Sequence, residues 1–352
     1  MSFIYAARLP AIRHDVEGAA DITEELLRIH GYDNIPYQSA FTQNLLPSIP
    51  AAVVREGTVR RTLALRQLTE ARTWSFMDGT LSLSAGEPIR ILNPIASDMD
   101  VMRKSILPNL LSSAANNIAR AFASGGLFEV GPVFHGGKPG EQYACAAAVR
   151  WGNIADKDWS KPAKKVDAYD AKSDLLAVLK IYGVDQDKVR FKTEDLPSFL
   201  HPYKSAEIIF ANKVIGWFGE IHPLTLKKFG IKNNSAVAFE INLDMLPEAK
   251  GKRARKTSVT SDLQPVSRDF AFVFEAETKA ADILREVRKS DPRIADAYIF
   301  DIYAGAELGG KKSIAVKVGI QPTDTTLTDE EIGKISDAII AGATKLGGVL
   351  RG

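Results

Sequence analysis

An α+β fold is predicted by three features of the sequence. From Pro265 to the end the order reads strand, helix, strand, strand, helix, strand. The stretch 52–247 mixes helical segments with short apolar strands, and no fixed-period repeat or low-complexity tract replaces either pattern. Two βαβ-type halves of the size found at the end make a ferredoxin-like sandwich, one four-stranded sheet with two helices on one face.

The chain has 352 residues, room for two or three domains. Its 45% hydrophobic and 25% charged content is that of a soluble globular protein. One cysteine, Cys145, excludes an intramolecular disulfide framework and suits a reducing compartment, so a cytoplasmic location is expected. No apolar run reaches membrane-spanning length, and Arg8 interrupts the first residues, so neither membrane span nor secretory signal is expected. The net charge of +2 argues neither for nor against RNA binding, which leaves local charge to decide.

Taken in order, residues 1–37 supply a turn, one helix and the exit Gly31-Tyr32-Asp33-Asn34-Ile35-Pro36. This is too little to bury a core alone and reads as the end of a domain whose beginning is missing. Residues 39–51 read as a connector. Within the domain expected over 52–247, Ala206-Glu207-Ile208-Ile209-Phe210 and Ala236-Val237-Ala238-Phe239-Glu240-Ile241 read as strands. Lys250, Lys252, Arg253, Arg255 and Lys256 then form a basic run, either a solvated linker or a phosphate-contacting tether. The last domain, 258–352, has predicted strands at 268–274, 298–303, 314–320 and 348–350, and helices at 279–290 and 328–344.

The first residues with chemistry in them are acidic. Asp15 precedes a helix bearing Asp21, Glu24 and Glu25, whose i, i+3, i+4 spacing puts three carboxylates on one face. Crowded like charges need a cation or an arginine nearby, and an all-oxygen set suits Mg²⁺ better than zinc. The same residues also read as a helix start, with Asp21 as N-cap and Glu24 completing a capping-box-like pair. Both readings stay open on residue chemistry. His201-Pro202 and His222-Pro223 lack an acidic partner or second histidine at ligand spacing and read as turn residues, and Cys145 between alanines reads as packing.

The segment Pro10–Pro36, with Arg13-His14-Asp15, Ala20-Asp21, Glu24-Glu25 and Arg28-Ile29-His30-Gly31-Tyr32-Asp33-Asn34-Ile35-Pro36, resembles the bacterial phenylalanyl-tRNA synthetase β subunit. The resemblance implies that 1–37 is a partial helical interaction domain. It also implies that Asp15, Asp21, Glu24 and Glu25 bind Mg²⁺ in a site shared with the α subunit, which favours metal over capping alone. Ile12 departs from the family, which has an aromatic residue there.

Asn93-Pro94-Ile95, Met102-Arg103-Lys104-Ser105-Ile106-Leu107-Pro108, Leu127-Phe128-Glu129-Val130-Gly131-Pro132-Val133-Phe134 and Gly216-Trp217-Phe218-Gly219-Glu220-Ile221-His222-Pro223 are similar to that subunit's catalytic-like domain. The implied fold for 52–247 is the antiparallel sheet of class II synthetases. Class II adenylation uses arginines to clamp ATP phosphates, one in a Phe-Arg-x-Glu strand and one near a Gly-rich turn. Here Phe128-Glu129-Val130-Gly131 has no arginine before its glutamate, and Phe239-Glu240-Ile241-Asn242-Leu243-Asp244 has neither glycines nor arginine. A catalytically inactive domain is therefore expected. Tyr203 and Lys204 stand where the family has glycine and arginine.

The last domain resembles the family's ferredoxin-like anticodon-binding domain at Pro265, Arg268-Asp269, Phe300-Asp301-Ile302-Tyr303, Gly310-Lys311-Lys312-Ser313 and Leu346-Gly347-Gly348-Val349-Leu350-Arg351. Strand alternation predicts Ile314, Val316, Val318 and Ile320 facing the helices, with Ser313, Ala315, Lys317 and Gly319 outward. Phe300 and Ile302 are expected inward, Asp301 and Tyr303 outward, and Phe270, Phe272 and Phe274 in the core. An open face with Tyr303, Lys317 and Asp301 offers a stacking ring, a phosphate contact and a base-edge acceptor. Arg268 completes the candidate anticodon set.

The resemblance thus implies a non-catalytic β-subunit portion of a phenylalanine–tRNA ligase. Its partners would be the α subunit, in an α2β2 heterotetramer, and phenylalanine tRNA. The assembled enzyme would use ATP as substrate and Mg²⁺ as cofactor. The family's N-terminal tRNA-binding and editing modules are not in the sequence, so proofreading is not expected of it. The alternative is a free-standing RNA-binding or regulatory protein built from synthetase domains. A Mg²⁺-dependent hydrolase using the acidic cluster lacks a paired base or nucleophile.

Overall fold

The structure, a computed structural model, describes residues 6, 8–37, 48–84, 86–232, 234–247 and 261–351. The basic run and most of the connector at 39–51 lie outside the described residues. Residues 1–54 and 55–352 form two compact units.

In the first unit, helix α1 spans Ala19–His30, a run of good helix formers halted at Gly31, whose φ is +89°. Asp21 is not the N-cap. The helix begins earlier, at Gly18, and Asp21 Oδ2 reaches back to accept the N–H groups of Glu17 (3.0 Å) and Gly18 (2.8 Å). No residue of α1 is buried, and Leu26 and Ile29 stay 64% and 79% exposed.

Helix α2 (Ala51–Leu65) precedes β1 (Thr69–Glu70), β2 (Phe76–Met77), β3 (Ile89–Arg90) and β4 (Val101–Met102). Then come α3 (Leu107–Ala119), the long hairpin β5 (Gly125–Phe134) and β6 (Gln142–Trp151), the small pair β7 (Asn153–Ala155) and β8 (Lys164–Lys165), and α4 (Ala168–Ile181). β9 (Arg190–Lys192), β10 (Leu200–Phe210), β11 (Lys213–Ile221), α5 (Pro223–Lys228) and β12 (Ala236–Asn242) complete this part. Seven strands form one sheet in the order β1-β5-β6-β12-β11-β10-β9, antiparallel except for the parallel β1–β5 pair. β2, β4 and β3 form a separate small sheet.

Both faces of the seven-stranded sheet are buried, which is why its central strands read as continuous apolar runs. Ala146 and Ala148 of β6 pack with Phe239 of β12 and with Leu63 and Leu175 from α2 and α4. Their neighbours Cys145, Ala147 and Val149 pack on the other side with Leu107, Leu110 and Leu111 of α3. Asp174 ties α4 down: it is 1% exposed and accepts from Arg150 Nε (2.7 Å) and Arg66 Nε (2.6 Å). A buried carboxylate needs such paired donors to stay charged.

The remaining elements are β13 (Val266–Phe274), α6 (Ala280–Lys289), β14 (Ile294–Tyr303), β15 (Lys312–Ile320), α7 (Asp329–Lys345) and β16 (Val349–Leu350), the βαββαβ order read from the sequence. The sheet runs β14-β15-β13-β16. Phe272, Phe274, Ile314, Val316, Val318 and Ile320 are fully buried against Ile283 and Val287 of α6 and Ile335 and Ile339 of α7. A reciprocal pair starts α7: Thr328 N–H donates to Glu331 Oε2 (2.9 Å) and Glu331 N–H to Thr328 Oγ1 (3.3 Å).

Strict alternation fails in β14, and exposure departs from expectation at two further residues. The register of β14 against β15 shifts between Ile299 and Asp301, leaving Phe300 as the extra residue of a bulge. Before the bulge Ala297 and Ile299 take the helix-facing positions, so Phe300 is not an inward residue but stands 51% exposed. Ile302 lies opposite Ile314 on the helix-facing side yet remains 56% exposed. Ser313, expected outward and accessible, is only 6% exposed.

Candidate functional site

At the acidic cluster the cation in place is an arginine. Arg13 Nη2 lies 2.7 Å from Asp15 and 2.6 Å from Glu25, and Arg28 Nη2 lies 2.6 Å from Glu25. Hydrogen bonding to Arg13 lowers the pKa of Asp15 to about 2. The same arginine, with Arg28, lowers Glu25 to about 2. Asp21 is committed to the two backbone N–H groups that begin α1, and Glu24 is exposed. Among the described residues no three His, Cys, Asp or Glu side chains converge on one metal-sized position. The donor chemistry still fits a hard oxygen-seeking cation, since all four side chains are carboxylates.

In the seven-stranded sheet, the two glutamates on the strands compared with ATP-binding strands are turned to internal use. Glu129 on β5 is 3% exposed and accepts from Arg103 Nη1 (2.8 Å) and Thr73 Oγ1 (2.6 Å). Arg103 is 1% exposed and also donates from Nε to the Pro132 carbonyl (2.9 Å). Glu240 on β12 accepts from Ser105 Oγ (2.8 Å) and from the N–H groups of Ile106 (2.9 Å) and Leu107 (3.2 Å), where α3 begins. Burial raises its pKa and those three bonds oppose the rise. The pairing of Arg103 with Glu129 was not legible in the sequence, since nothing in the spacing marks a partner 26 residues away.

His201 and His222 each accept a backbone N–H at Nδ1, from Tyr203 (3.2 Å) and Leu224 (3.1 Å) respectively, which is turn and cap work. Cys145 is buried, and desolvation pushes its thiol pKa up, away from reactivity.

The open face of the four-stranded sheet is built in rows across its strands. Asp269, Lys317 and Tyr298 stand opposite one another on β13, β15 and β14; Ala271, Ala315 and Asp301 form the next row; Val273, Ser313 and Tyr303 the third. Residues paired across antiparallel strands share a face, so Asp301, Tyr303 and Lys317 are brought together. Lys317 Nζ lies 3.7 Å from Asp269, and the Tyr303 hydroxyl donates to Glu307, which raises the tyrosine pKa. Arg268 is not part of this surface. It pairs with Val318, a helix-facing position, and is exposed on the opposite side of the sheet. Tyr298, 47% exposed beside Lys317, was missed because the bulge reverses the alternation that would have marked it.

A broad antiparallel sheet domain whose strand glutamates are internally paired, followed by a ferredoxin-type domain with an open polar and aromatic face, defines a chain of class II aminoacyl-tRNA synthetase type. Residues 15–243 match the phenylalanyl tRNA synthetase beta chain CLM domain, and residues 261–351 match the ferredoxin-fold anticodon binding domain. The phenylalanine–tRNA ligase beta subunit of Rhodospirillum rubrum is 43% identical over 97% of this chain and 44% of its own length. That of Paramagnetospirillum magneticum is 42% identical over 97% of this chain and 44% of its own length. The chain belongs to the phenylalanyl-tRNA synthetase beta chain family and spans about 44% of the length of these curated relatives. Among solved structures, a pyrrolysyl-tRNA synthetase from Desulfitobacterium hafniense matches at a TM-score of 0.43 and 12% identity, covering 68% of this chain and 81% of that one. That level is too low to add to the argument. No helix of the described residues is long and apolar enough to cross a membrane.

Proposed function

We propose that this chain works as the β-subunit portion of a phenylalanine–tRNA ligase, docking the α subunit in an α2β2 assembly and holding the tRNA anticodon on the open sheet face. The observation behind the reading is that face, where Tyr298, Tyr303, Asp301 and Lys317 line up in adjacent rows within the segment matching an anticodon-binding domain. Single-stranded bases stack on exposed rings while lysines meet phosphates, and Asp301 offers an acceptor to a base edge. The chain contributes no adenylation chemistry of its own in this reading, because Glu129 and Glu240 are committed to internal bonds. Phenylalanine activation with ATP then belongs to the α subunit, in the cytoplasm.

Asp15, Asp21, Glu24 and Glu25 would hold Mg²⁺ jointly with the α subunit, the ion supplying charge to an interface otherwise crowded with carboxylates. For that, Arg13 must release Asp15 and Glu25 on assembly. The exposed Leu26 and Ile29 on the same helix offer the apolar contact such docking needs.

Coexpression with the α subunit tests the reading against a free-standing RNA-binding role, since only a ligase subunit will copurify as a stable complex. In that complex Tyr303→Ala should raise KM for phenylalanine tRNA and leave pyrophosphate exchange unchanged. Lys317→Ala should weaken tRNA binding across sequence variants and flatten its salt dependence. Unchanged tRNA kinetics in the double variant would remove the open face from the anticodon role. For the metal, Asp21→Ala with Glu25→Ala should weaken Mg²⁺-dependent copurification more than it lowers the chain's own melting temperature.

A further inference from the structure

Beside the buried Arg103–Glu129 pair lies a cavity of about 520 Å³ that the proposed function does not use. Its wall includes Arg60, Arg72, Arg103, Gly131 and Asp244. Arg103 is 1% exposed; its Nε and Nη1 are engaged, while Nη2 has no hydrogen-bond partner among the described residues. Gly131 keeps that nitrogen accessible, since a Cβ there would sit 2.8 Å from Nη2. Arg72 is exposed and likewise has no partner among the described residues. Both free guanidinium edges open on the cavity, and an oxyanion is the partner their fork geometry prefers.

The acids in the wall set the charge of what fits. Glu129 is spent on Arg103 at 2.8 Å, and Glu56 lies 3.5 Å from Arg60. Asp244 remains: it accepts the Ala144 N–H at 2.8 Å and meets no arginine or lysine within ion-pair distance among the described residues. Its negative charge disfavours a polyanion. We infer that this cavity is a binding site for a small singly charged oxyanion, a carboxylate or a phosphate diester, held between Arg103 Nη2 and Arg72. The volume is within the usual span of small-molecule sites, so the ligand has a body beyond its charged group. The inference is independent of the ligase reading.

Binding is tested on the chain by isothermal titration and by the Arg103 side-chain N–H resonances, using acetate, dimethyl phosphate and pyrophosphate at constant ionic strength. Acetate and dimethyl phosphate should produce saturable shifts and compete with each other, and the tighter of the two identifies the source chemistry. Arg72→Ala, a change at an exposed residue, should keep the fold and weaken binding about tenfold, the effect of one lost charge-assisted hydrogen bond. Gly131→Ala should weaken both ligands by blocking Nη2, and Asp244→Asn should improve pyrophosphate relative to acetate. Linear, non-saturating shifts, or equal binding by the parent and Arg72→Ala, would overturn the site. Tight binding of pyrophosphate alone would overturn the singly charged class.

Discussion

The two large sheets of this chain use their faces differently. The seven-stranded sheet is covered on both sides, so its side chains are consumed by packing and by internal pairs such as Arg103–Glu129. The four-stranded sheet is covered on one side only, and its other face presents Tyr298, Asp301, Tyr303 and Lys317. A sheet buried twice can hold a shape for neighbours to dock on. A sheet buried once can bind along its whole surface. In the function proposed above, the first supplies the scaffold that docks the α subunit and the second the face that meets tRNA.

The largest effect should come from charge placed on equivalent central positions of the two sheets. Ala147→Lys puts an unpaired cation into a fully buried layer and should abolish cooperative unfolding, whereas Ala315→Lys, on the open face, should change stability by less than about 1 kcal/mol. Urea denaturation of both variants makes the comparison, and similar losses would erase the distinction. Next, Glu129→Ala leaves Arg103 buried without its carboxylate and should destabilise by about 3–5 kcal/mol in the same assay. Tyr298→Ala should cost about 1–3 kcal/mol in tRNA binding by the assembled complex, measured by fluorescence titration, with little change in stability. An unaffected tRNA affinity would confine recognition to the Tyr303 end of the face.

The smallest effect concerns the acidic cluster. Asp15 and Glu25 have pKa values lowered to about 2 by Arg13, so their pairing contributes stability above the ordinary carboxylate range and loses it as pH falls through about 2. Stability near neutral pH should therefore not depend on their titration. Arg13→Ala should raise both midpoints, that of Glu25 less because Arg28 remains beside it. Carboxyl-carbon NMR titration reads this directly.

The sequence by itself determined the element order, because burial imposes periodicities a linear reading can detect. The alternating Phe270, Phe272 and Phe274 marked a strand with one covered face, and Ala144 to Val149 sits in a sheet covered on both. Acidic residues at helical spacing likewise announced a charged helix face. Tertiary structure alone decided where periodicity breaks and which distant groups meet. One extra residue at Phe300 turned Tyr298 outward, left Phe300 out of the core and set the alternation the sequence could not count. Arg268, by contrast, shares its face with Phe270 and Phe272 by plain alternation, so its place on the helix side was already legible in the sequence. Arg103 found Glu129, and Arg13 reached Glu25 twelve residues on, through chain folding that composition and spacing do not encode.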